Sequence, residues 1–224
     1  MVPKSVYHWI LVWVIDPSIL APLTAYAWSR FRGGFQRPQW LRPFLWVQIL
    51  DLAQGIVFIA MALSHRNNQW FRHLIQPFIF TGLLWVLAKA AEDSPQRRRI
   101  YISCLGLGVL AALAGVFVNG IRWRNALFTT TQSFVFMGLG IYELQRLFTQ
   151  ENDEILTDKP EFWLNTAILI YGSVTLIFSA SSNYFLRNLP PHLLPLPWII
   201  HGLILVFYQL FLAKVFLCRR PTSS

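Results

Sequence analysis

Charge is scarce in this chain. Only 13% of its 224 residues are Asp, Glu, Lys or Arg, where a soluble domain carries about 25%. That deficit favours a membrane protein over a soluble globule before any motif is read. Cysteine is nearly absent. Cys104 and Cys218 are the two present, with no CxxC and no Cys/His cluster, so a zinc site of the usual spacing is excluded. Both are expected towards the cytoplasmic side as reduced thiols. Acidic residues are few, 10 against 19 basic ones, for a net charge of +9. In a soluble protein that balance would suggest nucleic acid. Here the basic residues sit in short loops between apolar runs, where they set orientation and meet anionic lipid headgroups. No basic helix face or binding motif accompanies them, so nucleic acid is not an expected partner. Also missing are an internal repeat, a low-complexity segment, a phosphate-binding loop, a metalloprotease helix and a nucleophile elbow. No cofactor or metal is expected.

What the chain has is apolar length. A span needs roughly 20 mostly apolar residues, and seven windows fit: Tyr7–Trp28, Pro43–Ser64, His73–Ala91, Ile100–Val118, Ala126–Leu147, Phe162–Tyr184 and Leu196–Leu217. The expected fold is an all-α, seven-transmembrane helix bundle forming one domain. Pro17 predicts a kink in the first helix, and Pro77 near the start of the third is tolerable if neighbours re-satisfy the freed carbonyl. Loop charge sets the orientation. Arg30, Arg32, Arg37, Arg42, Lys89, Arg97, Arg98, Arg99, Arg146, Lys159, Arg219 and Arg220 fall on one side; Lys4, Arg66, Arg72, Arg122, Arg124 and Arg187 fall on the other. The richer side is inside, so the amino terminus is outside and the carboxyl terminus cytoplasmic. The pattern Ala25-Tyr26-Ala27 after an apolar run is also compatible with a cleaved signal peptide. Cleavage would place the four-arginine loop outside, against the charge bias.

Polar groups inside the spans are the candidate functional residues, because an acid at mid-membrane costs about 2.5–3.5 kcal/mol on insertion scales. Gln48, Asp51, Gln54 and Gly55 fall within an arc of about 120° on one helix. Asp51 lies about 12 Å into its span at 1.5 Å per residue. Asp16 lies near the middle of the first span. Gln132 and Glu143 share a face of the fifth span, and Glu143 is placed to pair with Arg146 three residues on. Asn165, Gly172, Ser179 and Asn183 share a face of the sixth, and His201 and Tyr208 a face of the seventh. Such small and amide residues commonly serve close helix packing in lipid. Asp51 and Asp16 read equally as hydrogen-bonded structural acids or as functional ones.

Five histidines, His8, His65, His73, His192 and His201, fall towards the outer side, but no pair has ligand spacing. Lys214 in the last span resembles the retinal lysine of microbial rhodopsins. It sits too near the interface, and the third span lacks the Arg and Asp pattern of those pigments. Tryptophan and tyrosine near the span ends make an aromatic belt.

The stretch "KPEFWLNTAILIYGSVTLIFSASSNYF" and the later "PWIIHGLILVFYQLFLAKVFL" carry Pro160, Glu161, Phe162, Trp163, Tyr171, Asn183, Trp198 and His201. They resemble the last two spans of a family of small seven-span proteins of Bacteroidota-type bacteria, over about a quarter of the chain. Those proteins look like relatives of membrane modules found with two-component signalling genes. The resemblance implies a sensory or accessory role in the bacterial inner membrane. Two functions are therefore expected. One is a non-enzymatic sensor or accessory protein that binds a small apolar ligand or a membrane partner, aided by an acidic cytoplasmic loop (Glu151, Asp153, Glu154, Asp158, Glu161). The other is an intramembrane enzyme acting on a lipid or isoprenoid, like a terpene cyclase, with Asp51 or Asp16 kept protonated as general acid. A transporter is disfavoured by the lack of repeat symmetry.

Overall fold

The computed structural model describes residues 16–31, 38–64, 67, 69–91, 94–121, 125–149, 155–190, 192–193 and 195–218. Among them are seven helices of eleven residues or more and no strand. They are α1 (Ala21–Phe31), α2 (Leu41–Leu63), α3 (Gln69–Ala90), α4 (Pro95–Asn119), α5 (Ala126–Thr149), α6 (Pro160–Asn188) and α7 (Pro195–Leu217). Five of these, α2, α3, α4, α6 and α7, are long and apolar enough to cross a membrane, which points to a membrane protein. The helix α5 has the length, at 24 residues, but the run Thr129-Thr130-Thr131-Gln132-Ser133 and the pair Glu143 and Arg146 dilute its apolar character. Most of the first predicted span, with His8, lies outside the described residues, as do His65 and the loop acids Glu151, Asp153 and Glu154.

Local chemistry accounts for the boundaries. Before α1, Asp16–Ser18 forms a single helical turn, and the Leu20 N–H reaches the Pro17 carbonyl at 3.0 Å. Ile19 and Leu20 separate this turn from α1. The Ala25-Tyr26-Ala27 segment lies within continuous helix, and Tyr26 packs edge-on against Phe216 of α7, centroids 5.5 Å apart. The helix α4 begins five residues before the apolar window. Ser94 caps it, accepting from the Arg97 N–H at 3.2 Å, and Pro95 occupies the first turn, where no N–H is needed. Its far end closes at Gly120, whose φ of 72° suits glycine. The helix α3 runs through Pro77, and the Thr81 hydroxyl donates to the Pro77 carbonyl at 2.7 Å. The helix α6 starts at Pro160, after a 3-10 turn at Leu156–Asp158.

The chain divides into two compact units. The central unit is Arg37–Val135; the terminal unit joins Met1–Gln36 to Phe136–Ser224. The boundary falls within α5. In the central unit α2 packs on α3 and α3 on α4. A Cβ on Gly82 would lie 2.8 Å from Val47 Cγ2, and one on Gly108 would enter the Phe80 ring. Those two glycines let the helices close up. Phe80 meets Phe128 of α5 edge-on at 5.7 Å. In the terminal unit α7 packs on both α6 and α1, around buried Leu164, Ala167, Ile168, Leu212 and Val215. Gly140 of α5 sits against Leu169 of α6, where an added Cβ would lie 3.1 Å from the Leu169 Cα.

Candidate functional site

In the central unit, α2 turns one polar face inward. Gln48 and Gln54 are buried and Asp51 half-buried, while Trp46, Ile49, Ile56 and Ile59 are exposed. Asp51 is engaged rather than free. The Gln54 Oε1 and the Gln132 Oε1 of α5 are both buried, and neither has a hydrogen-bond partner among the described residues. Beside Gln132, the Thr129 and Ser133 hydroxyls donate to the carbonyls of Asn125 (2.9 Å) and Thr129 (2.7 Å) one turn earlier.

A further polar residue of this unit, Asn125, is one that sequence reasoning passes over. Its Oδ1 accepts the Phe128 N–H at 3.0 Å and so caps α5. Its Nδ2 donates to the Ala112 carbonyl of α4 at 3.3 Å and lies 3.2 Å from the His73 Nδ1 of α3. With the amide oriented by the cap, His73 receives that bond at Nδ1. A Cβ on Gly115 of α4 would collide with the Asn125 amide. One side chain therefore joins three helices. The available signal was an Asn directly before the apolar run of α5.

In the terminal unit the Glu143 carboxylate is 2% exposed and takes the Arg146 Nε–H at 2.9 Å. Asn165, also buried, donates through Nδ2 to the Glu161 carbonyl at 2.9 Å. Its Oδ1 has no hydrogen-bond partner among the described residues. Gly172 and Ser179 follow on the same buried face. Asn183 and Asp16 lie in helical backbone. Along the α6–α7 seam, Tyr171 and Tyr208 are in ring contact at 4.8 Å. His201 stacks on Phe178 at 4.3 Å, and its Nε2 lies 3.4 Å from the Thr175 Oγ1. The seventh-span pair His201 and Tyr208 thus faces α6 at both positions. Sequence reasoning missed Thr175 and Phe178, whose roles appear only once the two helices meet.

At the end of this seam, Lys214 Nζ stands 5.8 Å from the Trp163 ring centroid, and Trp163 Nε1–H donates to the Thr157 carbonyl at 2.7 Å. Cys218 lies alongside. Partial burial pushes its thiol up to about 11; Lys214 lowers it, and Asp158 and Glu161 raise it. Among the described residues no three His, Cys, Asp or Glu side chains are grouped to hold a metal ion.

The polar residues thus fall into an inward face of α2, a three-helix node at Asn125, and an α6–α7 seam of hydroxyl, imidazole and aromatic groups. Set against protein-family profiles, curated proteins and solved structures, the chain matches none.

Proposed function

We propose that the chain is a seven-span protein of the bacterial inner membrane, amino terminus outside and carboxyl terminus cytoplasmic. It works without catalysis, as a sensor or accessory that holds a small apolar ligand or a membrane partner. The observation that carries this reading is the fate of the polar side chains within the helices. Thr81, Thr129, Ser133, Thr166 and Ser173 each donate to a carbonyl one turn earlier. Asn125 joins helices, and Glu143 is tied to Arg146. The hydroxyls and the Glu143–Arg146 pair are satisfied within their own helices and Asn125 ties α5 to its neighbours, so these groups serve the fold rather than a reaction. Loop charge and the resemblance of the last two spans support the orientation and the accessory role. The competing reading, an isoprenoid-acting enzyme, needs Asp51 as the proton donor to its substrate.

The test compares cells lacking the protein with cells carrying the wild type or Asp51→Asn. The expected result is unchanged lipid and isoprenoid composition across all three, with the variant present at wild-type level. A lipid or isoprenoid species that depends on the protein, and disappears with Asp51→Asn, would replace this reading with the enzymatic one.

A further inference from the structure

The central unit carries a feature that helix packing does not use. On three successive helices an exposed cation stands one turn from an exposed large apolar side chain. Arg42 is four residues before Trp46 on α2, Lys89 four after Trp85 on α3, and Arg98 four before Ile102 on α4. Residues four apart share a helix face. The three apolar partners are 69%, 54% and 58% exposed, so each pair points outward together. The cations also share one end of the unit. Val47 meets Gly82, and Phe80 meets Gly108. Arg42 lies five residues back from the first contact, Lys89 seven residues on from it, and Arg98 ten residues back from the second. At 1.5 Å per residue, each stands about 8–15 Å from its contact, in the same direction. Exposed Arg99 and half-exposed Arg97 add to this rim. Against these five cations the adjoining α3–α4 connection supplies two acids, Glu92 and Asp93. At the opposite end, by contrast, the Arg72 guanidinium lies over the chain's own Phe58 ring at 5.0 Å.

We propose that this rim is a binding surface for anionic phospholipid headgroups. The Arg and Lys groups take the phosphates, and the Trp46, Trp85 and Ile102 side chains beneath lie along the glycerol and first acyl carbons. Both halves of the surface are needed. A soluble anion gains only the charge, and a zwitterionic lipid gains only the apolar contact. Basic clusters at the membrane interface are worth about fivefold in affinity per cation.

The experiment titrates the full chain in detergent with phosphatidylglycerol, phosphatidylcholine or glycerol 3-phosphate, with bound molecules counted by native mass spectrometry. Phosphatidylglycerol is expected to bind at least about 100-fold more tightly than phosphatidylcholine, and glycerol 3-phosphate not at all. The triple variant R42Q/K89Q/R98Q should lose about 100-fold in phosphatidylglycerol affinity and keep its weak phosphatidylcholine binding. A salt titration of the unaltered protein needs no variant: phosphatidylglycerol binding must fall between 0.05 and about 0.5 M salt as screening tightens. Equal binding of the two lipids, binding of glycerol 3-phosphate, salt independence, or an unaffected triple variant would each overturn the proposal.

Discussion

The two units are held together in different ways. In the terminal unit Arg146 is spent on buried Glu143, and Lys214 stays over Trp163. In the central unit Arg42, Lys89, Arg98 and Arg99 point outward, and cohesion comes from neutral groups: the Asn125 amide and the close approaches at Gly82 and Gly108. A charge that has found a partner inside the protein is lost to the outside. The ion pair withdraws Arg146 from the surface, whereas Arg42, Lys89, Arg98 and Arg99 of the central unit, like Arg30 and Lys214 of the terminal one, stay exposed. The difference predicts different weak points.

The largest effect is expected in the terminal unit. Arg146→Met removes the ion-pair partner of a carboxylate that is almost wholly buried, and breaking such a pair costs about 3–5 kcal/mol. Replacing both groups, E143L/R146M, should recover most of that loss. Thermal unfolding in detergent measures both, and a double variant no better than the single one would show that the pair is not the unit of stability. In the central unit Asn125→Ala should cost about 2–3 kcal/mol, from the lost cap and the lost bonds to α3 and α4. Asn125→Asp keeps the acceptor that caps α5 and loses the donor, so it should fall between Asn125→Ala and the wild type. A smaller effect separates two glycines of α5. Gly140→Ala drives a methyl group against the Leu169 backbone and should cost about 1–3 kcal/mol. Gly138→Ala enters open space and should be neutral or slightly stabilising.

How far these differences could be read in advance depends on the range of the interaction. Apolar length alone located the second to seventh helices to within a few residues. The Glu143–Arg146 pair follows from a three-residue spacing within one helix, and the inward face of α2 from helical period. The start of α4 was misplaced because three arginines mask a helix that Ser94 and Pro95 begin. The Asn125 node and the Thr175–His201 contact are not legible, since each joins separate helices and depends on how they pack. Periodicity says which way a side chain faces, not what it meets there.

The finest test asks whether the Lys214 charge still reaches beyond Trp163. Cys218 is close enough to report on it, with its thiol raised from an ordinary 9.0 to about 11 by burial first, and with Lys214 acting in the lowering direction. At pH 8 the thiolate fraction is then about 100-fold smaller than for an unperturbed thiol. The higher basicity of the thiolate returns roughly tenfold in reactivity. Alkylation of Cys218 by iodoacetamide at pH 8 should therefore run about tenfold slower than that of a free cysteine, and accelerate as pH rises towards 11. The folded state holds this proton more tightly than the unfolded chain does. Its contribution to stability is therefore complete below about pH 9 and is lost as pH climbs through 11. Lys214→Gln removes the one lowering influence and should slow alkylation further. A rate unchanged by Lys214→Gln would mean that Lys214 spends its charge wholly on Trp163, and a faster rate would mean that the lysine shields the thiol rather than activates it.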